Sequence, residues 1–277
     1  MKKHPRVAIL YIALGKYIQF WSEFYNSFQE HFLPQSSKEY FVFTDDKEFI
    51  KEHPNNVHVI KQKDLGWPGD TLYRFDMFLK VEEELKTFDY VFFMNANLKC
   101  EKTITEEEFL SGEDQLIVVS HPSYWDQPSY RFAYERNNQS QAYIPYYSLN
   151  GSGYFAGGVN GGGTKVYLQM VHTLSKRIKI DDENGVLAVW HDESHLNWYM
   201  AHQKDYKILS PSYCYPEGWG FLPFETKILV KNKKKYISLP TSKIEEDTKR
   251  KELSALQIKF LKVFERIKRK RNRITNG

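Results

Sequence analysis

Four short apolar runs, separated by stretches with helical spacing, constrain this chain more than any other feature. VAILYIAL is bounded by Gly15, YFVFTDD starts at Tyr40 and ends on two aspartates, DYVFFMNAN starts at Asp89, and LIVVSHP starts at Leu116. Between them the segments Lys16 to Phe32 and Leu72 to Phe88 have the spacing of amphipathic helices. This alternation predicts an α/β layer fold: a mostly parallel central sheet flanked by helices. In such sheets ligands sit beyond the carboxyl ends of the strands, and Gly15, Asn95 to Asn97 and His121 all fall there.

The chain has 277 residues, 41% hydrophobic and 16% aromatic, enough for one core and a ring-lined cleft. The expected division is a single domain over residues 1–240 and a tail over 241–277. In the tail Leu253, Leu256, Phe260, Phe264 and Ile267 recur at helical spacing among basic residues, including Lys268, Arg269, Lys270 and Arg271. Such a basic amphipathic helix either lies peripherally on an anionic membrane surface or packs on the body. Without the tail the body is close to neutral, so nucleic acid is not an expected partner. Cys100 and Cys214 are too few for a disulfide framework and lack zinc-site spacing, which fits a reducing compartment. The apolar N-terminus is broken at Lys16 and shows no cleavage pattern, so it reads as a first strand. No run reaches the ~18 apolar residues of a membrane span, and a soluble chain is expected.

Two stretches invite chemistry. Gly151 to Gly163 holds seven glycines in GSGYFAGGVNGGG. It reads as a flexible loop whose backbone can approach a ligand closely. A phosphate loop is excluded, since Thr164-Lys165 reverses the required order and no strand leads straight into it. WHDESHLNWYM, from Trp190, places two histidines four apart, but Asp192 stands where a zinc-protease helix needs glutamate. It reads either as a helix start with Asp192 or Ser194 near the cap and charges facing water, or as a cluster whose members need partners.

HDESHLN, together with FAYERNNQSQAYIP (Phe132 to Pro145) and KILSPSYC (Lys207 to Cys214), closely resembles the family six glycosyltransferases. These include the blood group A and B transferases and the mammalian α-1,3-galactosyltransferases, and the resemblance runs from about Ile9 to about Lys235. It implies a GT-A fold, a UDP-GalNAc or UDP-Gal donor and retention of anomeric configuration. On the donor side, Ile12, Ala13, Leu14 and Tyr17 match the segment that packs on uridine, with Tyr17 stacking on the base. Trp67 and Arg74 match in WPGDTLYR, where Arg74 offers planar donors to the diphosphate or sugar. Asp192 joins the donor set. His121 and Trp190 match acceptor-site residues, Trp190 giving a ring face to galactose. Glu193 matches the essential glutamate, as nucleophile or as stabiliser of an oxocarbenium-like transition state.

One departure from the relatives is chemical. They carry Asp-X-Asp for Mn²⁺, whereas this chain has Asn95-Ala96-Asn97. Two neutral amides are poor substitutes for carboxylates on a hard cation, so no metal cofactor is expected. The amide NH₂ groups would donate to phosphate or ribose oxygens, and Lys231, with Lys233 to Lys235, would offset charge on departing UDP. Ala156-Gly157-Gly158 aligns with the triplet at which A-type and B-type relatives differ, and its small residues favour GalNAc over Gal. The resemblance thus implies transfer of GalNAc to the galactose of a Fucα1,2-Gal, H-antigen-like acceptor. UDP-Gal or UDP-glucose as donor, or a catalytically dead glycan-binding module, are the alternatives. The architecture, without an anchor or stem, suggests a bacterial cytoplasmic enzyme.

Overall fold

In the first apolar run Val7, Ile9, Tyr11 and Ala13 enter one buried cluster, while Ala8 and Leu10 enter another. The run is therefore a strand covered on both sides, as a parallel sheet demands. A computed structural model describes residues 4–145 and 153–238 of the chain. Its strands are β1 (Arg6–Ala13), β2 (Ser37–Thr44), β3 (Val57–Lys61), β4 (Tyr90–Met94), β5 (Leu98–Cys100), β6 (Leu116–Ser120), β7 (Phe155–Gly163), β8 (Tyr206–Leu209), β9 (Tyr215–Pro216) and β10 (Ile228–Val230). Seven form the central sheet in the order β3-β2-β1-β4-β7-β6-β8. All neighbours are parallel except β7, which is antiparallel to both β4 and β6. A small second sheet, β5-β10-β9, joins the chain after β4 to the C-terminal part of the domain.

The helices are α1 (Trp21–His31), α2 (Lys47–Lys51), α3 (Gly69–Leu72), α4 (Arg74–Leu79), α5 (Glu82–Leu85), α6 (Glu106–Phe109), α7 (Thr164–Glu183) and α8 (His191–Ala201). Helix α1 buries Trp21, Phe24 and Phe28 in the cluster shared with Tyr11 and Tyr40. Helices α4, α7 and α8 supply Phe75, Phe78, Tyr167, Val171, Leu174, Leu196 and Met200 to the other. Burying each such side chain contributes roughly 1.5–3 kcal/mol of transfer free energy. The segment expected to be helical from Leu72 to Phe88 is broken at Tyr73 and Val81. Leu72, Phe75, Phe78, Val81, Leu85 and Phe88 are all buried nonetheless. Successive short turns satisfy the same spacing as one long helix.

The expectation of a flexible glycine loop is corrected over residues 155–163, which form β7, bonded on both sides inside the sheet. Close approach is the reason for the glycines. A Cβ at Gly161 would stand 2.0 Å from Phe92 Cδ1, and one at Gly163 would stand 1.7 Å from the Glu113 carbonyl oxygen. Gly162 adopts φ 143°. The compact unit ends at Ile237. The expected tail, and Gly151 and Ser152, lie outside the described residues. No helix among the described residues is long and apolar enough to cross a membrane.

Candidate active site

The junction between β7 and the start of α8 assembles the charged core of the site. His191 opens α8 with φ 51°, a left-handed conformation that costs a branched-at-ring residue about 1–3 kcal/mol and persists only where its surroundings fix it. Here its N–H donates to the Ala188 carbonyl at 2.9 Å and its ring meets Trp67 edge-on at 5.1 Å. Two acidic residues follow in the first turn, where the helix dipole favours negative charge.

Asp192 does not face water. Its carboxylate lies 2.6 Å from Arg74 Nη2, with both side chains 4% exposed. The Arg74 guanidinium is also 4.5 Å from the centre of the Phe93 ring, at the end of β4. Ser194 is likewise buried, its hydroxyl accepting from the Trp190 N–H at 2.9 Å. Asp192 lies in the first turn and Ser194 is bonded to the N-cap residue Trp190, so both do stand at the helix start, but the charges have partners inside the protein instead of facing water.

Glu193 has both carboxylate oxygens engaged. Oε1 accepts from the Tyr154 hydroxyl at 2.9 Å, and Oε2 accepts from the Gly157 N–H at 2.7 Å. One turn on, Asn197 fixes the helix to the strand. Its Oδ1 accepts from Phe155 N–H at 2.8 Å, and its Nδ2 donates to the carbonyls of Phe155 and Glu193, each at 2.9 Å. A Cβ at Gly157 would lie 3.2 Å from Glu193 Oε2 and 3.4 Å from Arg74 Nη2. One at Gly158 would lie 3.4 Å from the Asn95 Cβ. The glycines thus let Glu193, Arg74 and Asn95 crowd against bare backbone. Ala156 turns the other way, into the buried cluster that contains Ala96, Leu209 and Tyr213.

His121, at the end of β6, borders the same carboxylate. Its Nδ1 accepts from the Ser123 N–H at 3.1 Å, which leaves the ring proton on Nε2. Burial holds its pKa below the usual histidine value, partly opposed by the charge of Glu193. It is therefore a neutral donor at pH 7. Its ring lies 5.2 Å from Tyr124 and 5.6 Å from Tyr154, which itself lies 4.8 Å from Tyr124. Burial also pushes the Cys214 thiol up to about 12, with Glu193 adding to the shift.

The other expected residues gather around the end of β1 and the turn after β4. Gly15 takes φ 55° and donates its N–H to Asp45 at 2.8 Å, turning the chain after the buried Ala13 and Leu14. Ile12 is half-buried. Tyr17 lies 5.0 Å beneath Lys233 Nζ. Asn97 is 1% exposed and its Nδ2 donates to the Lys231 carbonyl at 2.6 Å, while the Lys231 N–H donates back to Asn97 O at 2.8 Å. One of the two Nδ2 protons is thereby committed to the backbone just after β10. The Lys231 ammonium is bonded to Glu23 and sits 4.0 Å from the Tyr236 ring. Two amides, one of them buried and donating to backbone, do not fit a hard divalent cation. Among the described residues, no three His, Cys, Asp or Glu side chains converge as a metal site.

Sequence reasoning missed Tyr154, Asn197 and the brace behind them. Asp181 of α7 accepts from Ser140 Oγ and Gln141 N–H, each at 2.6 Å, and Arg177 stacks 3.2 Å over Trp198. Glu135 accepts from the N–H groups of Asn137 and Val189, tying the FAYERNNQSQAYIP segment to the approach to α8. The signal available was spacing: Asn197 stands one helical turn after Glu193.

The profile of glycosyltransferase family 6 matches residues 2–238. The chain is 35% identical over 229 residues to the O-antigen biosynthesis glycosyltransferase WbnI of Escherichia coli, covering 83% of this chain and 95% of that protein. It is 29% identical over 220 residues to the globoside alpha-1,3-N-acetylgalactosaminyltransferase 1 of Gallus gallus, covering 76% of this chain and 62% of that one. It is 29% identical over 227 residues to the histo-blood group ABO system transferase 1 of Rattus norvegicus, covering 78% and 64%. The chain thus spans less than two thirds of these two vertebrate relatives. With an extensive family match, a mostly parallel sheet and a glutamate held at the strand–helix junction, the chain belongs to glycosyltransferase family 6 and is a hexosyltransferase.

Proposed function

We propose that this chain is a retaining α-1,3-N-acetylgalactosaminyltransferase that moves GalNAc from UDP-GalNAc to the galactose of a Fucα1,2-Gal acceptor without a metal ion. The observation that carries the reading is Glu193, held at both oxygens and bordered by neutral His121. Retention asks for a carboxylate at the anomeric carbon, either as the nucleophile of a double displacement or as the stabiliser of an oxocarbenium-like ion pair during front-face attack. The bond from C1 to the diphosphate oxygen breaks, and UDP leaves with the electron pair. The acceptor hydroxyl forms the new bond to C1 and passes its proton to the departing diphosphate oxygen. His121 would orient the acceptor through Nε2–H, and Trp190 would offer it a ring face.

On the donor side Arg74, fixed by Asp192, would meet the sugar or diphosphate, with Trp67 behind His191 and Tyr17 at the base. Asn95 remains the amide for phosphate or ribose, and Lys231 and Lys233 the cations for departing UDP. GalNAc is supported by the name of one relative, a globoside alpha-1,3-N-acetylgalactosaminyltransferase. UDP-Gal is kept as a second donor for a specific reason. The space beside Gly157 is filled by Glu193 and Arg74, so its small size does not by itself leave room for an N-acetyl group. The O-antigen relative supports a role in building bacterial surface glycan.

The test is UDP release from UDP-GalNAc with 2'-fucosyllactose, in EDTA and again with Mn²⁺, with UDP-Gal in parallel. Full activity in EDTA with GalNAc preferred is expected. Activity only with Mn²⁺ overturns metal independence, preference for UDP-Gal overturns the donor, and no turnover with any donor leaves a glycan-binding module.

A further inference from the structure

Asn160 lies inside β7, 1% exposed, in register with Phe93 of β4 and Val118 of β6. A polar side chain in so apolar a place destabilises the fold unless both its ends are bonded. Its Nδ2 donates to the Gly157 carbonyl at 2.9 Å, and its Oδ1 accepts from the hydroxyl of Tyr167, near the start of α7, at 3.2 Å. A strand side chain reaches the carbonyl three residues back only where the strand is irregular. Here β7 takes five steps between its pairs with Ser120 and Val118, at Phe155 and Asn160, while β6 takes two. On the other side, pairing with β4 continues through Met94 and Val159, and the Asn95 N–H donates to the Gly158 carbonyl at 2.9 Å. The irregularity is therefore a bulge on the β6 side, a device that re-aims groups beside active sites.

Gly157 lies in this bulge with both its main-chain groups bonded to side chains. Its N–H donates to Glu193 Oε2 at 2.7 Å, and its carbonyl accepts from Asn160. A glycine has no Cβ to limit its own φ and ψ, so the peptide groups on either side of it are oriented by what they bond to. Loss of the Asn160 bond would leave a buried carbonyl without that donor, and rotation about Gly157 would relieve it at the expense of the neighbouring N–H contact to the carboxylate. We propose that Asn160, backed by Tyr167, is a positioning residue for the transfer centre: it locks the β7 bulge so that the Gly157 N–H faces Glu193. This rests on the reading of Glu193 as the group at the anomeric carbon.

The experiment is a double-mutant cycle on the full chain, comparing the parent, Asn160→Leu, Glu193→Gln and the double variant. Steady-state UDP release is followed with 2'-fucosyllactose and whichever of UDP-GalNAc and UDP-Gal turns over faster, with a thermal melt for each protein. Leu is close to Asn in size and makes neither bond. Asn160→Leu should lower kcat about tenfold, leave the donor KM within about twofold, and change the residual rate of Glu193→Gln by less than about twofold. A merely structural role would lower the melting temperature and reduce the rate by the same factor in both backgrounds, which overturns the proposal, as does an unchanged kcat in the parent background. Where Asn160→Leu does not fold, Tyr167→Phe decides: it keeps the ring in the core and should lower kcat about threefold in the parent but not in Glu193→Gln, and equal effects overturn the proposal. Near-normal turnover by Glu193→Gln, or none by the parent, overturns the reading of Glu193 itself, and is seen before position 160 is changed.

Discussion

Replacing Tyr154 by Phe deletes one oxygen from the buried centre of the site and leaves the rest of the ring. That oxygen donates to Glu193 Oε1 at 2.9 Å. Burial, reinforced by the neighbouring Glu193 charge, raises the Tyr154 pKa far above its ordinary value, so the hydroxyl is a donor throughout the working pH range. The ring keeps its neighbours, Tyr124 at 4.8 Å and Tyr134 at 5.7 Å. A hydrogen bond to a charged group contributes roughly 1.5–3 kcal/mol. The Gly157 N–H still holds Oε2, so Glu193 stays in the site but is free to swing about that single contact. If most of the lost bond energy appears in the barrier, kcat falls about 10- to 100-fold, since each 1.36 kcal/mol is a factor of ten. KM for the donor should stay within about twofold of the parent, because a carboxylate poised at the anomeric carbon acts chiefly in the transition state. Steady-state UDP release at saturating donor and acceptor measures this, with a thermal melt to show that the fold is retained. A kcat within twofold of the parent would refute the claim that Tyr154 positions Glu193.

Glu193→Gln keeps the shape but removes the charge, and turnover should fall at least ~10²- to 10⁴-fold while a UDP-binding titration changes little; near-normal turnover would exclude a catalytic role. Gly161→Ala should not fold stably, because its Cβ would overlap Phe92 and the Val91 carbonyl, and overpacking of this kind costs at least about 1–3 kcal/mol; a urea midpoint equal to the parent's would contradict the strand assignment. His195 lies 3.4 Å from Asp181, yet burial and the nearby Arg177 lower its pKa to about 3. Asp181 already accepts from Ser140 and Gln141, so the contact is that of a neutral ring. The unfolded chain therefore takes up this proton first as pH falls, and stability is lost between about pH 6.5 and 3, at up to ~1.4 kcal/mol per unit. His195→Gln should flatten the urea-measured slope between pH 7 and 5, and an unchanged slope would assign the loss to other groups.

The parallel strands were legible because Val7 to Ala13, Tyr40 to Thr44 and Tyr90 to Met94 are apolar at nearly every position, and only burial on both faces makes that tolerable in a strand. The start of α8 was legible as a place of chemistry because charges are crowded beside Trp190. Its internal pairing was not: nothing local to HDES distinguishes Asp192, which turns to Arg74, from Glu193, which turns to Gly157, since both partners are distant in sequence. β7 was misread for a related reason. Glycine-rich sequence has no period, and the feature that makes it a strand is the bulk of Phe92 on β4, which fills the space where side chains would be.

The amide at position 97 has a role independent of any ligand. As Asn97 its Nδ2 donates to the Lys231 carbonyl, so β10 and the basic segment after it are hung on the turn that follows β4. Asn97→Asp would set a carboxylate oxygen against that carbonyl at 2.6 Å, in a position 1% exposed to water. The loss of a donor and the burial of an unpaired charge together cost at least about 1–3 kcal/mol. Protonation restores a donor, so the folded-state pKa of the new carboxyl would rise above the unfolded value. The variant should then match the parent most closely in acid and lose stability as pH rises through that folded pKa. Urea unfolding at pH 5 and pH 8 checks the sign, and a variant as stable as the parent at pH 8 would refute it. Asn95→Asp carries no such penalty, because Asn95 is only half-buried and its amide nitrogen makes no bond to β10. Restoring a carboxylate pair in this chain is consequently a change of fold stability at one position and of site chemistry at the other, and the two must be separated before any gain of Mn²⁺ dependence is read as mechanism.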